Sequence, residues 1–170
     1  MPLSQNGYPV LDEPDTRLWI VPGADRHLRL APGAAGFVLI HFASYYHDHI
    51  ERLDTGVWDE WGYAVRDIRG SSTSISNHAS GTAMDLNATQ HPLGTSETAS
   101  MTRADIQAVN ARLAWMDDVI RWGGDYAGRQ DVMHYEINKP NPRVQALAER
   151  LRDTDRGQRI RSANGISGRD

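Results

Sequence analysis

The chain has no cysteine. That excludes disulfides, thiolate metal sites and a thiol nucleophile, and it leaves the redox compartment open. Long apolar runs are missing too. None approaches the roughly 20 residues that a membrane-spanning helix needs, so no membrane span is expected. Met1 to Gly7 has neither a basic head nor an apolar core, and so does not read as a secretory signal. There is no basic excess: the formal net charge is -4, which argues against long-range attraction to nucleic acid. The helical zinc-peptidase signature His-Glu-x-x-His does not occur.

What is present suffices for one compact domain. The 170 residues are 39% hydrophobic, enough for a real core. Leu18 to Val21 and the alternating His27 to Leu30 read as short strand candidates. Leu39, Phe42, Tyr46, Ile50 and Leu53 recur at helical steps and predict an amphipathic helix over residues 37–53. Its His41, His47 and His49 read as structural or surface residues. Gly62 to Ile68 reads as a strand, and Thr82 to Asn87 as a second one with Ala83, Asp85 and Asn87 on one face. Residues 88–101 read as a long surface loop that includes His91. Thr102, with Asp105 three residues on, caps a helix whose core positions run from Ile106 to Ile120, and Gly123-Gly124 is its expected end. Asp131 to Ile137 reads as a strand, and a last helix starts at Asn141-Pro142. Residues 1–154 are expected to form the domain. Residues 155–170 are polar and rich in arginine, and read as a flexible tail or the start of a linker.

The chemistry concentrates in two short groups. Ser76-Asn-His-Ala-Ser-Gly-Thr-Ala-Met-Asp85 puts His78 and Asp85 seven residues apart with small residues between. Asp131-Val-Met-His134 follows. Imidazole and carboxylate suit zinc, and catalytic zinc sites use three protein ligands with a position left for water. His78, Asp85 and His134 can supply such a set, which leaves Asp131 as a general base. Arg66 and Arg69, just upstream, are candidates to face a developing oxyanion. Plainer readings stand beside these. His134 can be a buried core histidine, and Asp131 a turn or cap residue. Glu136 can equally be the carboxylate of interest, or can orient a ligand from behind.

Taken together, Ser76-x-His78-x-x-Gly81-x-Ala83-x-Asp85 followed by Asp131-x-x-His134 resembles the zinc peptidases of the VanY / D-alanyl-D-alanine carboxypeptidase superfamily. Trp61 to Gly70, His91 to Gly94, Trp122 to Tyr126 and Met133 to Glu136 resemble its L-alanyl-D-glutamate peptidase branch, found in actinobacteriophage endolysins. The resemblance implies an α+β fold, hedgehog/DD-peptidase-like, with a small antiparallel sheet carrying the site and helices packed behind it. It implies Zn2+ held by His78, Asp85 and His134, Asp131 as catalytic base, and Arg66 or Arg69 at the transition state. Ser76 matches a serine beside the substrate, and Tyr135 and Trp122 are expected as aromatic walls. The implied activity is hydrolysis of a peptide bond next to a D-amino acid in a peptidoglycan stem peptide, foremost as an endolysin L-Ala-D-Glu endopeptidase. A D,D-carboxypeptidase and a non-catalytic, zinc-containing wall-binding domain are the alternatives. The expected protein is a monomer acting on the bacterial cell wall; if phage-encoded, it is expected to be made in a host cytoplasm without a signal peptide, and a C-terminal wall-binding module is a candidate partner.

Overall fold

The computed structural model describes residues 1–68 and 73–168. Strands β1 (Arg17–Ile20) and β2 (His27–Leu30) form an antiparallel hairpin, with Arg17 opposite Leu30 and Ile20 opposite His27. Trp19, Leu28 and Leu30 point inward from it. Helix α1 (Ala34–His49) follows. It starts and stops earlier than the expected 37–53, because after Ile50 the chain turns back and Leu53 donates its N–H to His47 Nδ1 at 3.0 Å. The helix is also not amphipathic in place. It is buried along nearly its whole length, His41, Ser44 and His47 included, as befits a central helix. The hairpin, the C-terminal helices and the second sheet all pack around it.

Residues 62–68 do not form the expected strand. The segment is threaded between the hairpin and the second sheet, touching each through isolated bonds. Tyr63 donates to the Arg29 carbonyl at 2.7 Å, and among the described residues the segment's bridges are Trp61 to Asp85 and Asp67 to Ile75. A Cβ on Gly62 would stand 2.2 Å from the Arg29 oxygen, so only glycine lets the two backbones approach this closely.

The second sheet has the order β3 (Ala83–Asp85), β5 (His134–Ile137), β4 (Ile120–Trp122), all antiparallel. Helix α2 (Glu97–Ser100) lies in the stretch expected to be loop. His91, expected on the surface there, is instead buried, with Nε2 2.7 Å from Glu51 Oε2. Helix α3 (Arg103–Trp115) begins at its expected cap: Thr102 accepts from the Asp105 N–H at 3.1 Å and donates to its carboxylate at 2.6 Å. It ends well before Gly123, because Asp117 and Asp118 adopt φ of 59° and 49°, which stops a right-handed helix. Ile120 then belongs to β4, where buried Ile120 and Trp122 flank exposed Arg121.

Helix α4 (Asn141–Arg152) buries Val144, Leu147 and Leu151. Residues 155–163, expected in the flexible tail, form helix α5 (Asp155–Ala163). Thr154 caps it through the Gly157 N–H at 3.1 Å, and Ile160 is fully buried in the common core. The composition looked polar because only Gly157 and Ile160 of this helix are buried. The whole is a small α+β fold, two antiparallel sheets with helices packed around them, as the resemblance implies.

Candidate metal centre

Strand alternation builds the site. In β3 and β5, Asp85 stands opposite His134, Met84 opposite Tyr135, and Ala83 opposite Glu136. Side chains alternate across a strand, so Asp85, Ala83, His134 and Glu136 share one face. Met84, Tyr135 and Ile137 go to the core on the other. Directly opposed residues hold their Cβ atoms about 5 Å apart, which brings the Asp85 carboxylate onto the His134 imidazole. Small Ala83 keeps the face open.

His78 arrives from a tight 3-10 turn over Asn77–Ser80. Ser76 caps that turn by accepting the His78 N–H at 3.2 Å. Gly81 ends it with φ 65°, and a Cβ there would lie 2.4 Å from the Ala31 nitrogen. Glycine is needed at this position for both reasons.

Three ligand atoms converge. His134 Nδ1 is 3.0 Å from Asp85 Oδ1, His78 Nε2 is 3.4 Å from the same oxygen, and the two nitrogens are 3.3 Å apart. Ligands held at roughly 2.0–2.1 Å around tetrahedral zinc lie about 3.3 Å from one another. The triangle thus has the dimensions of one face of a zinc tetrahedron. The remaining nitrogens are committed elsewhere. His78 Nδ1 donates to the Gly62 carbonyl at 2.7 Å, and His134 Nε2 donates to Glu136 Oε2 at 2.9 Å. Each imidazole is thereby left with its lone pair aimed into the triangle. Glu136 is in turn held by Asn77 Nδ2 at 2.7 Å and the Tyr126 hydroxyl at 3.1 Å. It therefore sits behind His134 and not among the three clustered ligands.

The charges around the triangle favour a cation within it. Burial opposes ionisation of Asp85, yet the two histidines hold its carboxyl well below the usual range. Burial likewise disfavours a charged His134, but Asp85 and Glu136 on its two nitrogens push it up to about 10. In both cases the partners outweigh desolvation. A divalent cation in the triangle would satisfy the Asp85 carboxylate and leave both imidazoles neutral, with His134 Nε2 still donating to Glu136.

Asp131 lies beside this triangle in a groove of about 330 Å³. Its N–H donates to the Gly123 carbonyl at 3.0 Å, and its own carbonyl accepts from His134 N–H at 3.0 Å. Gly123 has no room for a Cβ, which would meet the Asp131 carbonyl oxygen at 2.2 Å. Asp131 Oδ1 is buried and has no partner. Burial raises the Asp131 pKa, with Asp85 adding to that push and His134 opposing it. Such an orphaned carboxylate next to a ligand set is what a proton acceptor requires.

Arg66 reaches the site, its Nη2 3.7 Å from Asp85 Oδ2, with the side chain partly exposed. Arg69 lies outside the described residues. Ser76 lines the groove. Tyr135 and Trp122 do not. Both are fully buried on the core face and stack at 6.2 Å centroid separation. The period of the strand explains the correction: Tyr135 is one residue from His134 and so faces the other way. The aromatic walls are instead Trp61, nearly half exposed, and Tyr126. Glu136, two residues from His134, was legible as a same-face neighbour. Asn77 and Tyr126 carried no local signal, because the fold alone brings them to Glu136.

Residues 69–137 match a family model described as D-alanyl-D-alanine carboxypeptidase. No curated protein and no solved structure matches the chain. The matched segment contains His78, Asp85, Asp131, His134 and Glu136, the residues that the fold gathers at one groove. Within that matched segment, the His/Asp/His cluster supports a zinc metallopeptidase.

Proposed function

We propose that the protein is a zinc-dependent peptidase of peptidoglycan stem peptides, acting at the bacterial cell wall as a D,D-carboxypeptidase. The observation that carries this reading is the ligand triangle of zinc dimensions with half-buried Asp131 beside it, one carboxylate oxygen of which, Oδ1, is buried without a partner. The description of the matching family favours the carboxypeptidase over the endolysin-type L-Ala-D-Glu endopeptidase that the sequence resemblance placed first.

His78, Asp85 and His134 would hold the metal. Bound there, zinc supplies a Lewis acid that polarises a carbonyl and makes water more acidic. The chain's own groups do the rest. Asp131, made more basic by partial burial, takes a proton from the attacking water and delivers it to the leaving amine. Arg66 offers its guanidinium to the oxygen on which negative charge develops. Ser76 and Trp61 line the groove in which the peptide is held. The products are a new carboxylate and a free amine, which for the carboxypeptidase is terminal D-alanine.

Mass spectrometry of stem peptides after digestion tests the reading. Loss of one D-alanine from a pentapeptide stem is expected. A cut between L-alanine and the D-glutamyl residue would move the assignment to the endopeptidase. Asp131→Asn should keep about one zinc and lose a hundredfold or more of the rate. Wall binding with no new termini from wild-type protein would refute hydrolysis altogether.

A further inference from the structure

The groove holds two arginines that the metal centre leaves unused. Strand register places the first. Arg121 of β4 stands directly opposite Glu136 of β5, so it shares the face that carries Asp85, His134 and Glu136. It is the diagonal neighbour of His134, about 7 Å away between Cβ atoms. Its guanidinium carbon lies 4.6 Å from the Tyr126 ring centroid, and the Tyr126 hydroxyl donates to Glu136 at 3.1 Å. The cation thus rests on a ring that is itself tied to the carboxylate behind His134.

The second is Arg129, in the loop between Tyr126 and Asp131. Gln130 beside it pins that loop. Its side chain donates to the Gly124 carbonyl at 2.9 Å and accepts the Glu97 N–H at 3.1 Å, and its carbonyl accepts the Gly94 N–H at 2.9 Å. Arg129 lies over Gly94, where an added Cβ would stand 3.3 Å from its Nε. Both arginines line the groove, and both are exposed. Asp67, Asp85, Asp131 and Glu136 line it too. Yet among the described residues neither arginine has a hydrogen-bond or ion-pair partner, whereas Arg66 is paired with Asp85. A charge on a short edge strand discourages pairing. That role needs neither a ring behind the guanidinium nor a second unpaired arginine in the same groove.

We propose that Arg121, assisted by Arg129, binds the α-carboxylate of the residue on the leaving side of the cut. The direction of the cut rests on the peptidase reading above. Asp131, which hands the proton to the leaving amine, is two residues from Arg129, and its N–H is bonded to Gly123, two residues from Arg121. The departing residue therefore lies on the arginine side of the metal. A guanidinium fork matches a carboxylate bidentately. Tyr126 occupies the face of Arg121 and leaves its N–H edge for such a partner. The same chemistry serves either cut in a stem peptide. A carboxypeptidase releases D-alanine with its terminal carboxylate. An L-Ala-D-Glu endopeptidase releases a D-glutamyl residue that is joined onward through its γ-carboxyl and keeps its α-carboxylate. In both, the anion sits on the carbon next to the leaving nitrogen.

Steady-state kinetics of the zinc-loaded full chain test this, on a pentapeptide stem and on its singly amidated forms, one at the terminal D-alanine and one at the D-glutamyl α-carboxyl. Amidation on the leaving residue should raise KM roughly tenfold or more with little change in kcat. Which amide is affected identifies the source of the carboxylate. In Arg121→Gln the preference for acid over amide should fall close to one. Arg121→Lys should restore part of it, and Arg129→Gln should reduce it less. Arg121→Gln should also keep its zinc and its urea midpoint, because the side chain is exposed. Calorimetry with ketomethylene analogues of the same peptides, which cannot be cleaved, reads the preference without turnover. A protein that hydrolyses nothing would refute the peptidase reading, while this binding preference still decides on the subsite. The proposal is overturned if wild-type protein treats acid and amide alike, or if Arg121→Gln keeps the wild-type preference. It is equally overturned if that variant loses the preference only together with its zinc, or if the amide that matters stays with the acyl product.

Discussion

Removing Glu136 should damage the metal centre without touching a ligand. Its carboxylate accepts three hydrogen bonds: from His134 Nε2 at 2.9 Å, Asn77 Nδ2 at 2.7 Å and the Tyr126 hydroxyl at 3.1 Å. Glu136→Ala leaves all three donors without their acceptor. Each buried donor so stranded costs about 1–3 kcal/mol. Asn77 and His134 are the better shielded, so a loss of about 3–4 kcal/mol in the metal-free protein is expected. Zinc binding should suffer separately, because nothing then fixes the His134 ring or its tautomer. A 10- to 100-fold loss of affinity is the usual scale for such a partner, equivalent to about 1.4–2.8 kcal/mol.

Glu136→Gln is the sharper variant. It preserves shape, but its amide offers one acceptor oxygen where two charged oxygens stood, and it turns an NH2 group toward other donors. It should keep most of the fold and still lose roughly tenfold in zinc affinity. Tyr126→Phe removes only the longest of the three bonds and should have the smallest effect. Competition titration against a chromophoric chelator measures the affinities, and denaturant melts in chelator measure the stabilities. If Glu136→Gln and Glu136→Ala both bind zinc like wild type, the argument that this carboxylate orients His134 is wrong.

Other consequences follow from packing and charge. Gly81→Ala puts a Cβ 2.4 Å from the Ala31 nitrogen at a φ of 65°, so a loss of about 3 kcal/mol is expected, with weakened zinc binding. Gly33→Ala, also at positive φ but in open space, carries backbone strain without the clash and should cost about 1–3 kcal/mol in the same denaturant melts. Ile160→Ala should cost about 2–5 kcal/mol, whereas a truly flexible tail would tolerate it without change. His41 gives a pH signature. Burial first, and the surrounding arginines next, lower its pKa from 6.5 to about 3. Below pH 6.5 the unfolded chain takes up a proton that the fold refuses, so stability falls as pH drops from about 6.5 toward 3. At about 1.4 kcal/mol per unit, the loss reaches a few kcal/mol near pH 4. The half-buried carboxylate Glu51, whose pKa burial raises but His91, Tyr46 and Asn87 bring below its usual value, adds a loss of the same sign only below about pH 4.5. His41→Gln should therefore flatten the upper part of the profile, as read by melts at stepped pH.

Much of this architecture is legible in the residues because local rules and tertiary packing agree. The capping box at Thr102, the β2 alternation and the α4 stripe of Val144, Leu147 and Leu151 fall in this class. The errors arise where one pattern serves two structures. Met116 and Ile120 keep helical spacing across a break that two left-handed aspartates impose. Residues 62–68 carry strand-like composition but have no continuous edge to pair with. In the site, spacing offers His78, Asp85 and His134 as candidate ligands with Asp131 beside them, and the fold gathers all four at one groove. Tyr135 and Trp122, expected as aromatic walls from the resemblance, lie in the core instead. Parity alone puts Tyr135 behind the sheet and Glu136 in front of it.

The irregular course of residues 61–66, bonded at separate points and not as a regular strand, is what positions the ligand set. A regular strand at that place would commit its carbonyls to a ladder. Here Trp61 spends one pair of bonds on Asp85, 3.0 and 2.8 Å, and fixes the height of that carboxylate. The next residue, Gly62, is left with its carbonyl free to take the proton of His78 Nδ1 at 2.7 Å. Four residues further, the Ser76 N–H donates to the Arg66 carbonyl at 3.1 Å, which ties Arg66 to the cap of the His78 turn. One irregular segment therefore sets the tautomer of one ligand, the position of a second and the reach of the nearest cation. Its lack of regular structure is a requirement of the site, and the close contact of Gly62 with Arg29 is what holds it there.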